Sequence, residues 1–387
     1  MEVNWDDLRM EQFPALKDHV YLKAAGGSPM SKEAYQSALK YFKDMHLIGD
    51  NFWDEYFVSL NYTRRLVAEY INCKPHEIAF LINTSSGMNA ISRLIDKGEI
   101  LYPEGEFPSS IHIFKSRGFE CKKIPSKNNN IYEISEFQKN LTNISKYIIH
   151  SHIQYLTGFK QDLDELGMFC ETNNLLNIIN AAQSFGAFPI DVKSSNIDMI
   201  VASGLKWACC GYGIGILYVD NKHILETRLP FSSWLSVKDA FSMNNENLDI
   251  IKKTSSMDGL GGTPNFPALM ALYGGLNLIK NIGKGNIQKG VQAISKRIFN
   301  LTSEFIEKTS NLDLKIITPK DLKHRSGIVT IETNKAESIY YKLLAKKIFI
   351  SLRNYPTSSN KTLLRFAFNY FNNFEDIEKS YSVLKNS

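Results

Sequence analysis

The stretch "KYIIHSHIQYLTGFKQDLDELGMFCETNNLLNIIN", residues 146–180, reads as strand, helix, strand. Its flanks, "KYIIHSHI" (146–153) and "LLNIIN" (175–180), are short apolar runs of strand length. Between them, "DLDELGMFCETNN" opens with Asp162 as expected N-cap and Glu165 three residues later, a capping-box spacing. Working outward, "EIAFLIN" (77–83), "IDMIVASG" (197–204) and "GIGILYV" (213–219) repeat the β-like pattern. Strands alternating with helices of this size indicate βαβ units and a mostly parallel sheet. In such sheets ligands bind just beyond the carboxyl ends of the strands, so the residues after each run matter most.

The last third changes character. "NIQKGVQAISKRIFNLTSEFIEKT" has helical periodicity, "LDLKIIT", "GIVTIET" and "IFISLRN" read as short strands, and "NFEDIEKSYSVLKN" reads as a helix. A smaller α+β domain is expected after the Gly/Pro-rich "MDGLGGTPNFP" (257–267).

Bulk properties bound the function. A chain of 387 residues suggests two or three domains. Apolar content of 43% and charged content of 22% allow a sizeable core. The net charge of +5 is not gathered into a basic arm or face, which argues against nucleic acid as partner. The beginning, "MEVNWDDLRMEQFPALKDHV", is acidic where a secretion signal would be basic and then apolar, and runs such as Ile214 to Val219 fall short of the roughly 20 residues that span a bilayer. A cytoplasmic protein without membrane contact is expected. Cys73, Cys121, Cys170, Cys209 and Cys210 form no CxxC pair with companion histidines, so neither structural disulfides nor a metal site is expected.

Three sites follow the strands. After "EIAFLIN", Thr84, Ser85, Ser86 and Gly87 offer hydroxyls and open backbone N–H groups where a helix begins, which suits a phosphate; a plain Ser/Thr helix cap gives the same pattern. After "IDMIVASG", Lys206 stands between Leu205 and Trp207. A desolvated lysine there has a lowered pKa and suits Schiff-base chemistry, whereas a lysine snorkelling off a strand end is the bland alternative. "LLNIIN" ends on Asn180 with Gln183 just beyond; these can address a heteroaromatic ring or satisfy local backbone. Together at one sheet edge, the three supply the amine, phosphate cradle and ring contacts of a pyridoxal-phosphate site.

Segments along nearly the whole chain resemble one family: "VYLKAAGGSPMS", "NTSSGMN", "EFPSS", "SHIQYLTGFKQDL", "NAAQSFGAFPIDV", "SGLKW", "GGTPNFPAL" and "LLRFAFNYFNNFEDIEK". In their order and spacing they resemble the class V aminotransferase superfamily of fold-type I pyridoxal-phosphate enzymes, which includes cysteine desulfurases and isopenicillin N epimerase-like proteins. The resemblance implies an α/β fold. Its large domain (21–262) has a mainly parallel, seven-stranded-type sheet flanked by helices, beside a small C-terminal α+β domain (263–387) and an N-terminal segment (1–20) packing on the latter. It implies Lys206 as the Schiff-base lysine and carrier of the Cα proton. Ser203, Thr84 and Ser85, with the helix start behind them, would bind the phosphate. Phe107 would stack on the cofactor, and Gln183 would bond its phenolic oxygen. Thr263 would reach the neighbouring subunit's phosphate in a homodimer. Arg365 would grip the substrate carboxylate, with Arg353 as a second candidate.

Three positions depart from the family pattern. No cysteine follows Cys210, so a persulfide-forming desulfurase is not expected, and Cys209 and Cys210 read as packing residues. Leu205 stands where desulfurases have histidine, and Asn180 where the family has aspartate. A neutral amide supplies no charge to the ring nitrogen, which predicts a weaker electron sink and slower proton abstraction. The expectation is an enzyme acting on an amino acid or amine by aminotransferase-type chemistry. C–S lysis or other β-elimination, and epimerisation, are the alternatives within that class. The alternative outside it is a cofactor-binding protein with little or no turnover.

Overall fold

In the computed structural model, which describes residues 3–127, 130–225, 229–354 and 362–387, the chain forms thirteen described strands. After β1 (Val20–Tyr21), the central sheet takes β2 (Ile78–Leu81), β3 (Glu99–Pro103), β4 (Glu120–Ile124), β5 (Ser145–Ser151), β6 (Leu176–Asn180), β7 (Met199–Ser203) and β8 (Gly215–Val219). Their order is β2-β8-β7-β6-β5-β3-β4, with β8 antiparallel to both neighbours and the remaining pairs parallel. The sheet is buried on both faces. Phe80, Leu101, Ile148 and Ile179 enter one apolar cluster, while Leu81, Ile100, Ile149 and Ile178 enter another on the opposite side. That two-sided burial is why the strands read as continuous apolar runs instead of alternating ones.

The second sheet is antiparallel: β9 (Lys315–Ile316), β10 (Ile328–Glu332), β12 (Ser351–Asn354) and β13 (Thr362–Ala367) lie in the order β12-β13-β10-β9. The remaining strand, β11 (Ile348–Phe349), pairs in parallel with β1. "IFISLRN" is therefore two strands. Strands β3, β4 and β13 lie outside the runs singled out in the sequence. The helix Leu163–Thr172 begins where its cap predicts, with Asp162 Oδ1 accepting from the N–H groups of Asp164 and Glu165, 3.1 Å each. The helices Ile287–Thr309 and Phe374–Lys385 also form.

Two contacts fix how the segments pack, one between the sheets and one between the first and last helices. Gly158, at φ +74°, lies where a Cβ would come within 2.4 Å of the Ile328 carbonyl oxygen, so the loop after β5 can lie directly on β10. Arg9 ties the N-terminal helix Trp5–Gln12 to Asp376 in the last helix (2.7 Å). Among the described residues, no helix is long and apolar enough to cross a membrane.

Candidate active site

The carboxyl ends of β2, β5, β6 and β7 and the loop after β3 converge where the sequence points. Lys206 lies three residues beyond β7 and is half-buried. Burial, and then the positive charges of Arg365 and Arg353, push its pKa down to about 8. No hydrogen bond or ion pair joins its Nζ to any described residue. A lysine in this state has a usable neutral fraction near neutral pH, as amine nucleophiles require.

Arg365, on β13, is fully buried. Its Nη1 donates to the Tyr155 carbonyl (2.6 Å) and Nη2 to Ser351 Oγ (3.3 Å), while Nε finds no acceptor. Burial and then Arg353 lower its pKa, and no carboxylate pairs with it among the described residues. Arg353 follows Ser351 by two positions on β12, and Ser351 is the register partner of Arg365, so both arginines share one face of the sheet. Phe107 is exposed and meets the Tyr155 ring edge-on at 5.2 Å, which links the loop after β3 to the same Tyr155.

The two amides are oriented by partners of known polarity. Gln183 Oε1 accepts from the indole Nε1 of Trp207 (3.0 Å), a group that only donates. Its Nε2 end therefore faces away, giving one N–H to the Ala25 carbonyl (3.0 Å) and keeping a second. Asn180 Oδ1 accepts from the backbone N–H of Ala182 (3.0 Å) and keeps a second lone pair, while Nδ2 donates to Ser110 Oγ (2.9 Å). Gly186, at φ +98°, lets this turn lie against Ala208, where a Cβ would sit 2.5 Å from the backbone nitrogen.

The helix Thr84–Leu94 is capped by Asn83, not by a residue of the Thr-Ser-Ser run. Ser86 gives its N–H to Asn83 Oδ1 (2.9 Å) and its hydroxyl to the Asn83 carbonyl (2.7 Å), so it serves the helix cap. The hydroxyls of Thr84 and Ser85 make no hydrogen bond to described residues. Ser203 ends β7 opposite Gly215, and a Cβ on Gly215 would meet the Asn83 backbone at 2.6 Å, so Ser203 borders the same helix start. Thr263 is exposed and has no hydrogen bond to any of these groups. Cys209 and Cys210 are buried; burial pushes the Cys209 thiol up to about 12 and also raises the Cys210 thiol well above its ordinary value.

Sequence reasoning missed Trp207 as the group that orients Gln183, and Tyr155 as the bridge between Phe107 and Arg365. Trp207 stands beside Lys206, and Tyr155 lies within the quoted "SHIQYLTGFKQDL", but their partners are distant in the chain. It also passed over Glu106 and Ser110, within the quoted "EFPSS".

An amine of lowered pKa, an unpaired buried guanidinium, a helix start with free hydroxyls and two oriented amides fit pyridoxal phosphate and its amino-acid substrates. Comparison with known proteins agrees. The family described as aminotransferase class-V matches residues 20–379. An uncharacterised aminotransferase of Bacillus subtilis is 21% identical over 94% of this chain and 93% of its own length. A protein of Pyrococcus abyssi described as a probable cysteine desulfurase is 24% identical over 84% of this chain and 82% of its own. Among solved structures, a C-DES mutant with glycine covalently linked to its PLP cofactor superimposes with a TM-score of 0.85 at 18% identity, covering 96% of this chain and 98% of that one, which shows the fold. The chain belongs to the class-V aminotransferase family of pyridoxal-phosphate-dependent proteins.

Proposed function

We propose that this chain is a pyridoxal-phosphate enzyme acting on an α-amino acid by aminotransferase-type chemistry through Lys206. When bound, the cofactor supplies an aldehyde for an amine to capture and an electron-withdrawing ring for the carbanion left at Cα. Lys206 is the capturing amine and afterwards the base that holds the Cα proton. Thr84, Ser85, Ser203 and the N-terminus of the helix at Thr84 hold the phosphate. Phe107 stacks on the ring, Gln183 gives its spare N–H to the phenolic oxygen, and Asn180 meets the ring nitrogen. Arg365, with Arg353 beside it, takes the substrate carboxylate.

The observation that carries the reading is Arg365: a buried guanidinium whose charge reaches Lys206, with one nitrogen unpaired and no acid paired with it among the described residues. A carboxylate completes it in a bidentate pair. A second reading, β-elimination including C–S cleavage, is favoured by the neutral Asn180, because a good leaving group at Cβ lessens the demand on the ring. Protein-bound persulfide chemistry is not proposed, since no cysteine follows Cys210 and the buried Cys209 and Cys210 thiols resist ionisation.

The active form is proposed to be a homodimer in which Thr263 reaches the partner's phosphate. Tyr35, Leu39 and Phe42, exposed on one face of the helix Lys32–Ile48, support a surface that a second copy covers. On this reading the chain divides at residues 20 and 262.

The test loads the protein with pyridoxal phosphate and supplies a panel of amino acids. A visible absorption band lost in Lys206→Ala, with keto acid as product, is expected. Arg365→Leu should lose at least about 100-fold in kcat/KM, the cost of a charge-assisted pair. Pyruvate with released thiol would instead establish the second reading, and a band without any product would overturn both.

A further inference from the structure

Asn180 lacks a charge, yet a buried carboxylate lies two hydrogen bonds behind it. Ser110 Oγ accepts from Asn180 Nδ2 (2.9 Å) and donates to Glu106 Oε1 (3.1 Å). Glu106 is 9% exposed and has no basic partner among the described residues. Its Oε1 also accepts from the Phe107 N–H (2.9 Å) and the Ser151 hydroxyl; its Oε2 accepts from the Ser151 N–H (2.7 Å) and Gln154 Nε2 (3.2 Å). Burial raises the pKa of this group, while its hydrogen bonds oppose the rise. Five donors saturate the acceptor capacity of an ionised carboxylate and favour that form.

The strand register makes the grouping a built feature. Ser151 and Asn180 end β5 and β6 as direct partners, so the residue that holds Glu106 and the residue it acts on are side by side. Glu106 and Ser110 flank Phe107 in the loop and helix after β3. One short segment thus carries the stacking ring, the relay and the charge.

We propose that Glu106 acts through Ser110 as the counter-charge of the cofactor ring, polarising the Asn180 amide so that its oxygen accepts from a protonated ring nitrogen. The proposal rests on the reading of Asn180 as the ring-nitrogen contact. The physical route is the direction of the chain. An amide that gives an N–H to a hydroxyl bound to an anion gains electron density on its oxygen, and hydrogen bonds aligned in series strengthen one another. Asn180 Oδ1 has one lone pair left after Ala182. Glu106 is a positioning residue here, since it touches neither cofactor nor substrate.

The surrounding charges set the background against which this is read. Tyr155 lies within the field of Glu106, His150 is held neutral behind Ser151, and Arg365 and Lys206 bring the positive charge. None of them joins the chain Glu106–Ser110–Asn180 by a hydrogen bond.

The test uses the full chain loaded with pyridoxal phosphate labelled with ¹⁵N at the ring, and follows the ring-nitrogen shift against pH. Glu106→Gln is expected to lower the ring-nitrogen pKa by up to about 1 unit, less than an opposite charge in direct contact would, because Ser110 and the amide intervene. Ser110→Ala, which keeps Glu106 and its other four donors, should lower it by a smaller amount. In an Asn180→Asp background, the Glu106→Gln shift should shrink, because a carboxylate then faces the ring directly. An unchanged or raised pKa in the cofactor-loaded Glu106→Gln protein overturns the proposal. If that variant does not fold, an unchanged pKa in Ser110→Ala overturns it alone. A wild-type chain that acquires no cofactor signal would overturn the underlying site reading, and this proposal with it.

Discussion

Lys206 and Arg365 share one physical predicament, a positive charge pressed into low dielectric without an acid to answer it. A bound anionic ligand would relieve that cost. The sign for Lys206 is definite. Its pKa in the folded chain, about 8, lies below the ordinary 10.5, so the folded state loses stability as pH falls from 10.5 through 8. Lys206→Met should therefore stabilise the cofactor-free protein below about pH 8, by up to about 3 kcal/mol and less where solvent reaches the amine. The gain should vanish above about pH 10.5. Urea unfolding of both proteins at pH 7 and pH 10.5 checks this. Wild-type capture of pyridoxal phosphate should also accelerate as pH rises through about 8, when the neutral amine becomes the major form; stopped-flow absorbance reads it.

The elements divide by how local their causes are. β5, β6, β7 and β8 were legible because each is an apolar run buried on both faces. β4 was not, since it lies at the sheet edge and carries Lys122 and Lys123. β3 hides behind Glu99, which accepts from the Thr142 hydroxyl (2.7 Å), and ends on Pro103, a position a strand end tolerates. Thr84, Ser85 and Asn180 were legible as positions; the commitment of Ser86 to the Asn83 cap was not, because a hydroxyl at a helix start suits both uses. Least legible was the turn at Asp258–Gly262, which positions Thr263. It is anchored by buried Asp258, paired with Arg64 and accepting from the Phe80 N–H (2.8 Å) in β2. Asp258→Asn should cost about 3–5 kcal/mol by leaving Arg64 buried without its charge partner, a loss measurable by urea denaturation.

At the scale of the whole molecule, two sheets and the loops between them bring Lys206, from the middle of the sequence, near Arg365, from its last strand. If Tyr35, Leu39 and Phe42 lie in a two-fold interface, then Leu39→Glu with Phe42→Glu should yield monomers in analytical ultracentrifugation. Cofactor affinity should fall alongside, as Thr263 loses the partner it serves. The order of these losses matters, because a dimer that survives the double change would place the interface elsewhere. On the proposed function, Lys206 moves a proton at Cα of an amino acid gripped by Arg365. The most direct measurement is exchange of the Cα hydrogen into D2O, followed by proton NMR for a panel of amino acids with the cofactor-loaded chain. Exchange is expected of the wild type, slower by about one to several orders of magnitude than in Asn180→Asp, and none of Lys206→Ala. A wild-type chain that holds its cofactor yet exchanges no Cα hydrogen with any amino acid would contradict this reading.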